Sequence, residues 1–145
     1  MIRAPFPCLW FDGNGRAAAD FYCAVFPESR VLQDNGIVVS FELMGQQFMA
    51  LNGGPRFPHS EAVSFVISCD TQDEIDHFWH ALCEGGEESR CGWLKDRFGI
   101  SWQVVPAAMG EWMSDPKRAA RVMEACMPMN KLILADLERA ANAGL

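Results

Sequence analysis

Apolar residues along the chain recur at two periods, and the order in which the periods alternate is used twice. Residues 8–11 form a short apolar run closed by Asp12-Gly13-Asn14-Gly15. Ala18, Phe21, Tyr22 and Val25 then fall at spacings of three and four, the period of a helix with one apolar face. Pro27 stops that helix, because its ring and missing N–H block continuation. Two strand-like runs follow, 37–44 and 47–51, joined across Met44-Gly45-Gln46 as a tight hairpin. Asn52-Gly53-Gly54-Pro55 makes a firm break.

The second half repeats the order. Residues 62–69 read as a strand, and Thr71 with Glu74 forms a capping-box pattern that opens a helix. Ile75, Phe78, Trp79 and Leu82 share its inner face, and Gly85-Gly86 ends it. A short strand is expected within 87–91, then a hairpin of 93–95 with 100–105 around Asp96-Arg97-Phe98-Gly99. Phe21-Tyr22 corresponds to Phe78-Trp79, and Gly45-x-x-Phe48 to Gly99-x-x-Trp102. Two β-α-β-β-β units in one α+β domain describe this pattern better than one irregular chain. Residues 1–55 are the first module, 61–106 the second, and 107–145 a helical tail. In the tail, Ser114-Asp115-Pro116 supplies an N-cap with proline in the first turn. Leu132, Leu134 and Leu137 belong to a last helix, and the methionines at 109, 113, 123 and 127 read as packing residues.

Half of the 145 residues are apolar and 21% are charged, the profile of a soluble globular domain, and cytoplasmic location is the default. No apolar run approaches the ~20 residues of a membrane span. The net charge of −7 and the lack of a basic stripe argue against nucleic-acid binding. Lys117, Arg118 and Arg121, beside Asp115 and Glu124, read as a solvated helix face. The six cysteines contain no C-x-x-C pair and read as reduced, mostly buried thiols.

Few residues combine into recognisable chemistry. His77, His80 and Cys83 step along one helix, but opposite its apolar face and without the further ligands of a closed zinc site. His59 and Arg56 lie in the loop GGPRFPHSE; they are either ordinary loop residues or a lid with an anion clamp. Lys95, Asp96 and Arg97 read as turn residues. The nucleophile elbow of hydrolases and the phosphate-binding loop are both missing, and Gly13-x-Gly15 falls short of a dinucleotide fingerprint. Strand alternation puts Ser101, Gln103 and Val105 on one face, with Ile100, Trp102 and Val104 on the other. The first set suits a ligand cavity and the second suits packing against a helix.

The segments PCLWFDGNGRAAADFYCAVFPES, FELMGQQFMALNGGP, AVSFVISCDTQDEIDHFWHALCEGGEE and CGWLKDRFGISWQVVP resemble a PhnB-like branch of the glyoxalase/bleomycin-resistance/extradiol-dioxygenase (vicinal oxygen chelate) superfamily. That branch often carries the label 3-demethylubiquinone-9 3-methyltransferase, and the likeness covers nearly the whole chain. The resemblance implies paired β-α-β-β-β modules that curl into cups, commonly in a homodimer. In metal-dependent relatives, four His or Glu ligands sit on the first and last strands of the modules. Counting along the matching segments gives Pro7, Met49, Ser64 and Gln103 for those positions here. This set holds no carboxylate, imidazole or thiolate, so no metal and no other cofactor is expected. A one-residue slip would bring in Cys8 or Asn52, which still make no conventional site.

The expectation is therefore a cup that binds a small, partly apolar molecule. Gln103, Ser64 and Ser101 would orient it, Trp93 and Met49 would wall it, and Asn52 lies nearby. The alternative is an enzyme of the same superfamily, either the methyltransferase of the family label or a metal-dependent lyase, isomerase or dioxygenase. A structural dimer with an unused cup is a third reading.

Overall fold

The computed structural model describes residues 1–144, and the chain divides into two compact units, 1–59 and 60–144. In the first unit, strand β1 (Cys8–Phe11) leads into helix α1 (Gly15–Val25), followed by β2 (Ser29–Asp34), β3 (Val38–Leu43) and β4 (Gln46–Asn52). The sheet order is β1-β4-β3-β2, with β1 parallel to β4 and the other pairs antiparallel. Ala18, Ala19, Tyr22 and Val25 are the buried side of α1. Leu9, Phe11, Val39, Phe41, Phe48 and Ala50 supply the buried side of the sheet. Tyr22 stacks on Phe41 at 6.3 Å between ring centres, and Phe41 on Phe48 at 5.4 Å.

Two details differ from the pattern in the sequence. Strand β2 has no apolar alternation to announce it, since it is largely exposed and carries a bulge between Val31 and Gln33. The β3–β4 turn is also tighter than expected, because β4 begins at Gln46. Met44 (φ 51°) and Gly45 (φ 85°) are both left-handed, as a two-residue hairpin matched to strand twist requires.

The second unit repeats the arrangement. It contains β5 (Ser64–Cys69), α2 (Gln72–Cys83), β6 (Glu87–Glu88), β7 (Trp93–Lys95) and β8 (Ser101–Pro106). The sheet order β5-β8-β7-β6 again has its first and last strands parallel. The capping box is complete: the Glu74 amide donates to Thr71 Oγ1 at 3.2 Å, and the Thr71 amide donates to Glu74 Oε1 at 3.1 Å. Ile75, Trp79 and Leu82 face the sheet, and the Trp79 indole donates to Glu88 at 3.1 Å. The two repeat correspondences hold in space within each unit: Tyr22 and Trp79 are both buried, as are Phe48 and Trp102.

The β7–β8 hairpin turns on Asp96, which is 3% exposed. Its Oδ1 accepts from the amides of Phe98 at 2.8 Å and Ile100 at 3.1 Å, and its Oδ2 accepts from the Trp102 indole at 2.8 Å. One carboxylate thus closes the turn and holds Trp102 on the helix side of the sheet. The residue that reads as simple turn chemistry in the sequence is a buried clamp.

The tail adds α3 (Met109–Met113), α4 (Pro116–Cys126) and α5 (Leu134–Asn142) to this unit. Asp115 caps α4, accepting from the Lys117 amide at 3.1 Å. Val122, Cys126, Leu132 and Leu137 gather around Val105 and Trp112 as a second apolar cluster. Gln72 ties the start of α2 to this tail, donating to the Leu132 carbonyl at 3.0 Å and accepting from the Leu134 amide at 2.7 Å. The methionines do not all pack as expected. Met109 rests against the cluster, but Met113, Met123 and Met127 are 37%, 42% and 54% exposed. The cysteines are also less hidden than expected, with only Cys69 and Cys126 fully buried.

Replacing Asp96 with alanine leaves three donors in or near the core without their acceptor. Each such orphan costs about 1–3 kcal/mol. Asp96→Ala is expected to destabilise the protein by about 3 kcal/mol or more, read as a lowered midpoint in chemical denaturation.

Candidate functional site

Alternation along β5, β7 and β8 gives the second sheet one face toward α2 and one face away from it. Phe65, Leu94, Trp102 and Val104 are on the helix side, where Phe65 and Trp102 rings meet at 5.4 Å. The opposite face carries two cross-strand rows. Ser64, Ser101 and Lys95 are register partners in one, and Val66, Gln103 and Trp93 in the other. The four sequence-predicted residues of this unit, Ser64, Trp93, Ser101 and Gln103, therefore share a single face.

Gln103 Nε2 donates to Ser64 Oγ at 2.9 Å, so the two polar positions on neighbouring strands satisfy each other. Ser101 has no such partner. It is 1% exposed, and among the described residues its hydroxyl is a buried side-chain polar atom without a hydrogen-bonding group. Buried hydroxyls are ordinarily paired, and an unpaired one costs about 1–3 kcal/mol. Ser101 lines a cleft of about 130 Å³ with Trp93, Lys95, Ser89, Glu87 and Glu61.

The Lys95 ammonium pairs with the Glu61 carboxylate at the edge of this cleft. That contact lowers the Glu61 carboxyl below its ordinary range and raises the Lys95 amine, so both are ionised at neutral pH. As pH falls through the acid range, Glu61 takes up a proton and Lys95 loses its counter-ion. Lys95, Glu61 and Glu87 were not anticipated at the cleft. The signal for Lys95 is present in the sequence: it stands two residues from Trp93 on one strand, so the same parity that selects Trp93 selects Lys95.

The remaining expected residues lie in the first unit. Met49 is half-buried on the sheet face away from α1, beside Cys8 on β1, and its amide donates to the Pro7 carbonyl at 3.0 Å. Asn52 does different work. Its Oδ1 accepts from the Gly15 amide at 2.9 Å and its Nδ2 donates to the Gly36 carbonyl at 3.1 Å, joining the start of α1 to the sheet. A Cβ on Gly15 would lie 2.8 Å from that same Asn52 oxygen, which explains the glycine without any phosphate ligand. The loop with Arg56 and His59 is fastened over Trp10. The Trp10 indole donates to the Gly54 carbonyl at 2.8 Å, His59 Nε2 lies 2.6 Å from the Trp10 carbonyl, and Phe57 packs edge-on against the Trp10 ring. Arg56 stands 5.2 Å from the Phe57 ring centre. On α2, His77 and His80 are exposed.

Of the positions that the family resemblance implies for metal ligands, the first unit holds Pro7 and the Met49 thioether, and the second unit the Ser64 hydroxyl and the Gln103 amide. The hydroxyl and the amide are already bonded to each other. This set does not fit a hard divalent cation, which needs charged oxygen or imidazole. Nor do the residues fit a nucleotide-type methyl donor, whose usual seat is a glycine-rich turn from a strand into a helix of a parallel sheet. Both sheets here are four-stranded and mixed, and the first helix amide is taken by Asn52. Among the described residues no helix is long and apolar enough to cross a membrane, and no three or more His, Cys, Asp or Glu side chains gather to hold a metal ion.

Comparison with known proteins agrees with this architecture. Residues 4–105 match the family described as 3-demethylubiquinone-9 3-methyltransferase, so the match stops before the C-terminal helices that the sequence resemblance was extended to cover. Among solved structures, a putative 3-demethylubiquinone-9 3-methyltransferase, PhnB protein, from Bacillus cereus is 28% identical with a TM-score of 0.65; 71% of this chain and 99% of that one are covered. A glyoxalase/bleomycin resistance protein from Albidiferax ferrireducens shares the fold at 11% identity and a TM-score of 0.53, covering 68% and 93% of the two chains. The fosfomycin resistance protein FosX from Listeria monocytogenes does so at 13% identity and 0.52, covering 74% and 92%. No curated protein matches the chain. With residues 4–105, more than half its length, matched, the chain belongs to the 3-demethylubiquinone-9 3-methyltransferase family, the PhnB-like branch of the glyoxalase/bleomycin-resistance superfamily.

Proposed function

We propose that the second unit binds a small, partly apolar molecule through hydrogen bonds and ring packing, without a metal ion of the superfamily type. The observation that carries this reading is the Ser101 hydroxyl, buried without a partner in the wall of a cleft beside the Trp93 ring. A hydroxyl in that condition gains a hydrogen bond only when something enters, and an aromatic wall adds apolar contact. The cleft volume of about 130 Å³ is close to that of a cavity that takes up benzene, roughly 150 Å³. One ring with a polar substituent is the matching size. Gln103 and Ser64 flank it as an already satisfied pair, and Lys95 offers a cation to any acidic substituent that displaces Glu61.

The family description names a methyl transfer to a ubiquinone precursor. The residues give that reaction no seat for the donor, and no step is assigned to it. A homodimer, common among relatives, is carried forward as part of the same proposal.

Screening quinones, aldehydes and aromatic antibiotics by thermal shift tests the reading. At least one is expected to raise the melting temperature by several degrees, since saturating a site at 100 times its Kd adds about 2.7 kcal/mol. That rise should vanish in Trp93→Ala and shrink in Ser101→Ala. The free Ser101→Ala protein should be as stable as the parent or more so by up to about 1 kcal/mol, because an orphaned hydroxyl is removed. Shifts that survive both substitutions, or no shift with any probe, would contradict the proposal.

A further inference from the structure

Two thiol–thioether pairs lie where the tail returns to the second sheet, and their thiols neighbour one another. Helix α4 carries Met123 and Cys126 and ends at its C-cap residue Met127, with Met123 one turn from each of the others. Cys91, in the loop between β6 and β7, is brought against them. Its Sγ lies 3.6 Å from Met127 Sδ and donates to the Cys126 carbonyl at 3.4 Å. Cys126 Sγ lies 4.0 Å from Met123 Sδ. Burial, then the Cys91 thiol alongside, pushes the Cys126 thiol up to about 12.

Two features distinguish this group from ordinary packing. Met123 and Met127 are 42% and 54% exposed, so about half of each stays open to solvent and leaves an approach. Cys91 also adopts φ 59°, a left-handed conformation that a non-glycine residue takes at a cost of about 1–3 kcal/mol. It is held there by its amide bond to the Met129 carbonyl at 2.8 Å and by the neighbouring Gly92 amide to Asn130 at 2.9 Å. The fold thus constrains the one thiol that completes the cluster.

The two thiol–thioether spacings are short enough for the sulfurs to share one ion. With a metal–sulfur bond of about 2.3 Å, sulfurs around a tetrahedral ion stand about 3.8 Å apart, and around a trigonal one about 4.0 Å. The two observed thiol–thioether distances, 3.6 and 4.0 Å, bracket these values. A site of two thiols and two thioethers, with no oxygen or imidazole, selects a soft ion and rejects hard divalent ones.

We propose that Cys91, Cys126, Met123 and Met127 form a binding site for a soft monovalent cation of the Cu(I) class. Binding converts the two thiols to thiolates and releases two protons, so affinity falls as pH is lowered. Met123, Cys126 and Met127 lie beyond the segment matched to the family, and Cys91 lies within it.

The test uses the full-length reduced protein under anaerobic conditions, with Cu(I) and redox-inert Ag(I) as separate probes. Native mass spectrometry after competition with a Cu(I) chelator should retain one ion per chain, and X-ray absorption should show sulfur neighbours only, at about 2.3 Å. Cys91→Ser should lower affinity by more than the 10–100-fold that loss of a supporting group costs, and the surface change Met127→Leu should lower it measurably. Cys8→Ser, which alters the exposed thiol outside the cluster, should change nothing. Circular dichroism on each variant separates ligand loss from unfolding, and Met127→Leu serves if Cys91→Ser does not fold. Equal retention in the parent and in both cluster variants, or nitrogen and oxygen neighbours in the absorption spectrum, would overturn the assignment.

Discussion

The second sheet depends on the buried carboxylate of Asp96. Three donors from 98, 100 and 102 converge on it, and together they fix where the hairpin turns and which side of β8 meets the helix. Because strand side chains alternate, fixing Trp102 toward α2 sends Ser101 and Gln103 the other way. A slip of one residue would exchange the two sets and bury a glutamine beneath the helix. The chemistry of the open face is thus a consequence of a clamp on the opposite one.

That face is polar without being charged at its centre. Gln103 donates to Ser64 across the parallel pair, while the Ser101 hydroxyl has no partner among the described residues. Charge is confined to the rim, where Lys95 and Glu61 hold one another. A hard divalent ion needs anionic or imidazole donors, and Gln103 and Ser64 offer an amide and an alcohol. The reading that follows is recognition by shape and hydrogen bonds, in a fold otherwise shared with glyoxalase and antibiotic-resistance proteins.

Much of the fold is legible from the sequence because burial imposes period. The α1 and α2 faces, the capping box of Thr71 and Glu74, and the matched pairs Phe48/Trp102 and Tyr22/Trp79 all follow from apolar spacing. Strand β2 is not legible for the converse reason: an exposed, bulged edge strand has no inner face to pattern. The cleft was half readable. Strand parity finds Trp93 and Ser101, while Gln103 and Ser64 share the face but lie outside the cleft lining; parity also points to Lys95, whose position beside Asp96 disguises it as a turn residue. Glu61 comes from a loop, and loops carry no period. Asn52 was a candidate for the ligand site, but it sits on the helix side of β4 and binds backbone. Asp96 itself could not be singled out, because a clamp of three donors exists only once the hairpin has closed.

The central claim is the proposal that Ser64 and Gln103 act through hydrogen bonds and hold no metal ion of the superfamily type. Equilibrium dialysis of the parent protein, Gln103→Ala and Cys91→Ser against Mn(II), Ni(II) and Zn(II), followed by elemental analysis, addresses it directly. The account predicts no stoichiometric ion that depends on Gln103. One tightly held ion per chain that Gln103→Ala loses and Cys91→Ser keeps would contradict it.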